Sequence, residues 1–441
     1  MQGTGWYHTG IEALIGDVAV VRARGPFLGE MAAVGGDGSA ARLARVVALD
    51  GDRVSLQVFA GTRGLSTRDR TRFLGRPMEV TFSGNILGRV FHGDGRPADG
   101  GPALAAEPRI VAGGPSVNPV ERTLARRMIR TGIPMVDVFN CLVESQKLPI
   151  FAAPGEPAHE LLATIGLQAD ADVVVFGGLG LTFDDAQYFL RSFDDAGVRN
   201  RTVSFVNLGG DPVLERLLVP DLALTVAERF AVDAGKRVLV LLTDMTAYAD
   251  ALREVGLALE RIPAGRGYTG DLYSQLARRY ERACDFRDHG SVTILAVTTV
   301  PGGDLTHPIP DNTGYITEGQ LYLRNGMIDP FGSLSRLKQH VIGHATREDH
   351  GPLATALVQL YADAADAERK RSMAFDLTGR DRRLLRFAER FRAVFMHRSI
   401  RRTLEQSLDD GWRLLAECFS PEELPVREAL LRKYLPVSAP L

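Results

Sequence analysis

Lysine is scarce in this chain. Of 52 basic residues in 441, only Lys147, Lys236, Lys338, Lys370 and Lys433 are lysines, and arginine supplies the rest. That bias fits a GC-rich coding sequence. Set against 54 acidic residues it leaves a formal net charge of -2. Such a balance builds no field that would draw the chain to nucleic acid or to an anionic membrane. Cysteine is rarer still. Cys141, Cys284 and Cys418 lie far apart and form no CxxC pair, which argues against a disulfide framework or a zinc site and for a reducing compartment. The nine histidines form no HExxH pattern, so no protein metal site is expected. No window reaches 18 apolar residues, so no segment is expected to span a membrane. The opening "MQGTGWYHTG" lacks the basic region and apolar run of a signal peptide. Low-complexity tracts and short-period repeats are also missing.

What remains is ordinary for a globular protein: 45% hydrophobic and 24% charged residues, over a length that suggests about three domains. Residues 1–75 hold short apolar runs between turn signals. In "VSLQVF", Val54, Leu56 and Val58 alternate with Ser55 and Gln57, the period of a half-buried strand, so a small barrel or sandwich is expected. Residues 76–345 alternate continuous apolar runs ("DVVVFGGLG", "TVSFVNLGG", "RVLVLLTDM", "VTILAVTTV") with helical stretches. Such runs are strands covered on both faces, hence a mostly parallel α/β sheet. Residues 346–441 read as amphipathic helices. Leu384, Ala388, Phe391 and Phe395 recur at helical spacing, and so do Ile400, Leu404, Leu408, Trp412 and Leu415.

One stretch of the middle block raises a chemical question. "IFAAPGEPAHELLATIG" (150–166) reads as strand, tight loop and helix start, where a phosphate-binding loop would sit. A working loop needs glycine at both ends, then Lys, then Ser or Thr. In that register stand Ala152, Gly155, Pro157, Ala158 and His159. Pro157 lacks an amide for a phosphate cradle, Ala158 lacks charge, and His159 offers no hydroxyl to Mg²⁺. No "GK[ST]" occurs elsewhere. "RVLVLLTDM" ends in Asp244, the type of carboxylate that holds Mg²⁺ in such sites; an Asp there also caps a following helix. The order of loop, "GGLGLT" strand and Asp244 fits a RecA-like core.

Longer motifs then narrow the reading. "FVNLGGDPVLERLLVPDLALTVAERFAVDAGKRVLVLLTDMTAYADALREV" (205–255), "THPIPDNTGYITEGQ" (306–320), "GSLSRL" (332–337), "TREDH" (346–350) and "GRVFHGDGRPADGGP" (88–102) resemble the non-catalytic B subunit of V-type and archaeal A-type rotary ATPases, over nearly the whole chain. The resemblance implies a multidomain α/β protein: an N-terminal β-barrel, a central RecA-like P-loop NTPase fold and a C-terminal helical domain. It implies a cytoplasmic chain, peripheral to the membrane, that alternates with a catalytic A subunit in a hexameric ring and meets central-stalk and peripheral-stalk subunits. The ring couples ATP chemistry to proton or sodium movement through a membrane sector. ATP or ADP and Mg²⁺ would be held by the partner catalytic subunit, with no cofactor bound by this chain alone.

Within that family the loop usually reads like "SGSGLPHNE"; here it is "AAPGEPAHE". Glu156 is expected to add negative charge near where phosphates would lie. Phe183 stands at the position of the water-activating Glu of catalytic relatives, and a phenyl ring cannot activate water. Asp184 and Asp185 beside it are read as acidic residues at a helix N-terminus. The resemblance places Arg336, in "SLSRL", as an arginine acting in trans on the γ-phosphate of the neighbouring catalytic subunit. Arg266 and Tyr268 are expected at subunit interfaces, and His307 as a packed loop residue. Two other readings compete: a self-sufficient RecA-like ATPase, against which the loop argues, and a catalytically dead scaffold ring with a non-rotary partner.

Overall fold

The computed structural model describes residues 7–36, 41–104, 107–116, 119–124 and 127–436. The N-terminal part is a closed antiparallel barrel. Its strands are β1 (Tyr7–Thr9), β2 (Ile11–Ile15), β3 (Val18–Arg22), β4 (Met31–Gly35), β5 (Arg42–Asp50), β6 (Arg53–Val58) and β7 (Arg70–Phe73), in the order β1-β7-β4-β5-β6-β3-β2. The two ends of that order are one run of chain interrupted only at Gly10, so the sheet closes on itself and leaves no open edge. Val54, Leu56 and Val58 fill the barrel with Ala19, Val21, Ala44 and Val46. Gln57 departs from the half-buried pattern. It is buried as well, because the outer face of this wall packs towards the next domain: Met31 and Phe59 belong to that domain's core.

The middle part is built on seven parallel strands: β8 (Val90–His92), β9 (Lys147–Ala152), β10 (Val173–Leu181), β11 (Thr202–Leu208), β12 (Arg237–Thr243), β13 (Ser291–Thr299) and β14 (Gly319–Arg324). Their spatial order is β14-β9-β13-β12-β10-β11-β8. Helices α1 (Ala158–Gln168), α2 (Phe183–Asp195), α3 (Val213–Ala234), α4 (Met245–Ala258), α5 (Leu272–Tyr280) and α6 (Pro308–Ile316) connect them. Two apolar layers result, one on each face of the sheet. Leu161, Leu162, Phe176 and Leu241 lie in one, and Val175, Leu222, Val240 and Tyr248 in the other. This is why the strands read as unbroken apolar runs.

The C-terminal part holds α7 (His350–Ser372), α8 (Gly379–Phe391), α9 (Leu404–Cys418) and α10 (Glu428–Tyr434). Leu384, Ala388, Phe391, Leu404, Leu408, Trp412 and Leu415 are all buried. Phe395 is buried too, but in a π-helical turn after α8. Ile400 lies outside the helix expected for it, because Thr403 and Gln406 form a capping box that starts α9 at Leu404. All three cysteines are buried and unbridged. No helix among the described residues is long and apolar enough to cross a membrane.

Candidate functional site

The loop 153–157 joins β9 to α1 at the carboxyl-terminal edge of the sheet, the edge where open α/β sheets bind ligands. Gly155 takes φ +87°, a conformation that favours glycine. Pro157 is the N-cap of α1 and supplies no side-chain cap. The Ala158 amide donates to the Glu156 carbonyl (2.8 Å), so it turns back into the loop. His159 Nδ1 lies 3.2 Å from Asp185 Oδ1, and its ring packs by Phe189. Asp185 also accepts from the Thr182 hydroxyl (2.6 Å) and sits in the first turn of α2. Burial works against its ionisation, but Thr182 and His159 outweigh burial and hold its carboxyl below the usual range.

Asp244 ends β12, with β13 between it and β9. Its carboxylate accepts from the Thr246 amide (2.8 Å) and so caps α4. It also accepts from the Thr299 amide (3.1 Å) and hydroxyl. Burial raises its pKa against those bonds. Phe183, first in α2, is 65% exposed and brings no carboxylate. Glu156 corrects the sequence reading. Its two oxygens accept from the amides of Asn325 (2.7 Å) and Gly326 (2.8 Å), so its charge is taken up by the turn after β14 and does not face a phosphate position.

Gly155, Pro157, Ala158, His159 and Asp244 are thus brought to one edge, where the Ala158 amide bonds within the loop, His159 faces Asp185, and Asp244 is held by Thr246 and Thr299. The β9 lysine, Lys147, lies at the far end of its strand, between Glu318 (2.8 Å) and Glu281 (2.9 Å). A bound Mg-nucleotide needs a cation, a hydroxyl and outward amides. The residues of this loop do not fit one.

Arg336 is held apart from that edge. After β14 the chain turns back, and Leu334–Ser335 pairs antiparallel with Gln320 and Gly319, at the start of β14. The loop 153–157 contacts the other end of the strand, roughly 20 Å away for six extended residues. The Arg336 amide donates to the Glu318 carbonyl (2.9 Å). Gln146 Nε2 donates to the Ser335 hydroxyl (2.8 Å), which donates to the Cys141 carbonyl (3.1 Å). On the other side Val341 packs with Cys141 and Val143. The pairing requires Gly319: a Cβ there would lie 2.0 Å from the Leu334 carbonyl oxygen. On this fixed backbone the Arg336 side chain is exposed and has no hydrogen-bond or ion-pair partner among the described residues.

Three family models match the chain in series: the beta-barrel domain of the ATP synthase alpha/beta family over residues 11–75, its nucleotide-binding domain over 132–329, and the C-terminal domain of V and A type ATP synthase over 339–435. The V-type ATP synthase beta chain 1 of Treponema pallidum is 57% identical over 429 residues, covering 97% of this chain and 98% of that one. The beta chain of Treponema denticola is 55% identical over 428 residues with the same coverage. That of Protochlamydia amoebophila is 51% identical over 426 residues, 97% of each chain. The chain belongs to the V-type ATP synthase beta-chain family. It is a rotary ATPase subunit.

In this beta-chain family member the quoted motifs acquire physical roles. "TREDH" joins two domains. His350 Nε2 lies 2.8 Å from the Val138 carbonyl and Nδ1 lies 3.0 Å from the Thr346 hydroxyl. Asp349, fully buried, accepts from Trp412 Nε1 (2.6 Å) on α9 and pairs with Arg347. In "GRVFHGDGRPADGGP", Asp99 pairs with Arg89 at 2.6 Å and accepts from the Val90 amide at the start of β8, which pairs with β11 at the sheet edge. Tyr268 is corrected: it is 6% exposed, with its hydroxyl on Asp250 (3.0 Å), and is therefore a packing residue within the chain. Arg266 is half exposed and pairs with Asp304 (2.8 Å). His307 starts α6 with its ring edge-on to Tyr268. Sequence reasoning missed Gln146, Glu318 and Gly319 as the frame of Arg336. The only signal was a glycine inside "YITEGQ", directly after an acidic residue.

Proposed function

We propose that this chain is the non-catalytic, regulatory member of a V/A-type ATPase ring, alternating with a catalytic A subunit and supplying Arg336 in trans to the nucleotide held there. The carrying observation is a side chain left without a partner among the described residues on a fixed backbone, at the opposite end of β14 from the chain's own loop. Such an arginine serves a neighbouring surface and not its own pocket. During phosphoryl transfer, charge grows on the equatorial oxygens, and a permanently charged planar fork matches it. The loop 153–157 supports the same division of labour. With Ala158 and His159 in place of Lys and Ser or Thr, and Phe183 in place of a water-activating carboxylate, this chain does not hydrolyse ATP itself. Mg²⁺ and ATP or ADP belong to the partner's side of the interface. The ring sits in the cytoplasm, contacts central and peripheral stalks, and reaches the membrane only through a membrane sector that moves protons or sodium ions.

The test is co-expression with the related chain of the same genome that carries an intact "GKT" loop. Ring assembly and steady-state ATP hydrolysis are compared for wild type and Arg336→Ala. The expected result is a loss of about a hundredfold or more with assembly unchanged. Unaltered turnover in an intact ring refutes the trans role.

A further inference from the structure

A cleft of about 400 Å³ lies where the barrel meets the nucleotide domain. That volume is within the range of small-molecule sites. Arg45 enters it from the barrel wall. On β5, Ala44 and Val46 belong to the barrel core, so the alternation of the strand turns Arg45 outward. Facing it are Asp221 on α3, Tyr248 on α4, and Arg278 and Arg279 on α5.

The cleft is rich in donors. Four guanidinium groups line it, those of Arg45, Arg261, Arg278 and Arg279, against two carboxylates, Asp221 and Asp271. Arg279 pairs with Asp221 at 2.8 Å and Arg261 with Asp271 at 3.8 Å. Among the described residues Arg278 reaches only the Gly113 carbonyl. Arg45 has no hydrogen-bond or ion-pair partner among the described residues. Two further donors are buried without an acceptor: the Tyr248 hydroxyl, on a fully buried ring beneath the Arg279 guanidinium (4.7 Å), and Arg279 Nε. Burial keeps the Tyr248 hydroxyl protonated and therefore a donor. Uncompensated guanidinium groups beside buried, unpaired donors form the chemistry that recognises an oxyanion.

We propose that this cleft binds a small phosphate dianion, inorganic phosphate or a phosphomonoester, gripped by Arg45 from the barrel and by Tyr248 and Arg279 from the nucleotide domain. A dianion matches the two guanidiniums, Arg45 and Arg278, that have no carboxylate within ion-pair distance among the described residues, Asp221 being already paired with Arg279; a single carboxylate would match one. The bound anion ties the barrel to α4, the helix capped by Asp244, and by linkage stabilises the folded chain. The inference is independent of the role of Arg336.

Isothermal titration of the full-length chain at low salt tests it, with inorganic phosphate and with glycerol phosphate as probes. Saturable one-to-one binding is expected, weakened tenfold or more by Arg45→Gln and likewise by Tyr248→Phe. The second variant removes one oxygen and keeps the ring under Arg279, so a misfolded barrel cannot account for both losses. Tighter binding of phosphate marks the free ion as the ligand, and tighter binding of glycerol phosphate marks a monoester. Absence of saturable binding for both probes, or binding unchanged in both variants, overturns the proposal.

Discussion

At the carboxyl-terminal edge of the sheet, the residues around loop 153–157 turn their polar groups towards one another. Glu156 holds the 325–326 turn, His159 holds Asp185, and Asp244 holds the start of α4 and Thr299. At the opposite end of β14 the arrangement is inverted. There the backbone is satisfied by Glu318 and the strand pair and Gln146 holds the Ser335 hydroxyl, while the exposed Arg336 side chain has no partner among the described residues. The two regions carry similar residue types and differ in where the polar groups find their partners. A satisfied cluster stabilises its own fold. An exposed cation with no partner among the described residues, on a fixed backbone, is what the proposed role in trans requires.

The strongest way to break this comparison is at Arg336 itself. Arg336→Lys keeps the charge but loses the planar fork, so it should recover less than about a tenth of wild-type turnover in the assembled ring. Full activity with lysine would mean that bulk charge suffices and that the fixed geometry is incidental. Gly319→Ala leaves Arg336 in the sequence but drives a Cβ against the Leu334 carbonyl. Turnover should fall about tenfold, as expected of a misplaced catalytic group, with KM nearly unchanged. Wild-type turnover in that variant would separate Arg336 from its frame.

On the loop side, Glu156→Ala removes two charge-assisted hydrogen bonds from the 325–326 turn. Thermal unfolding should show a loss of about 1.5–3 kcal/mol, with ring turnover within about twofold of wild type. A large kinetic effect without a stability effect would put Glu156 in the chemistry. A smaller, pH-dependent effect comes from His350. Burial lowers its pKa below the ordinary 6.5, so the neutral ring is favoured in the folded chain. Its contribution is present above pH 6.5 and is lost as pH falls below it, because the unfolded chain then takes up the proton first. Melting temperatures between pH 7.5 and 5.5 should therefore fall less steeply for His350→Gln than for wild type, and equal slopes would contradict the assignment. The smallest expected effect is none. Restoring Ala158→Lys with His159→Thr should give no ATP hydrolysis by the isolated chain, because Phe183 still offers no base. Turnover above background would overturn the reading of the loop as inert.

Much of this was legible along the chain. The apolar runs of β10, β12 and β13 announced a sheet covered on both faces. The substitutions at Pro157, Ala158 and His159 could be read directly, because a phosphate loop is a local object whose parts lie within a few residues. The long motifs carried the family. Contacts between distant segments were not legible. Glu156 was read as a charge facing a phosphate position, yet its partners lie 169 and 170 residues further on. Tyr268 was read as an interface residue, yet Asp250 and the folding of the loop bury it. Gln57 looked like the polar half of a strand until the neighbouring domain covered that face.

The sequence alone determined which residue types are missing from the loop, because chemistry absent from the chain cannot be restored by folding. It also determined the alternation of elements, because hydrophobic periodicity acts within each segment. Only the tertiary structure decided which polar groups would satisfy one another and which would remain without a partner. Burial and hydrogen bonding are set by segments that meet in space, and nothing in the local order of residues fixes those meetings.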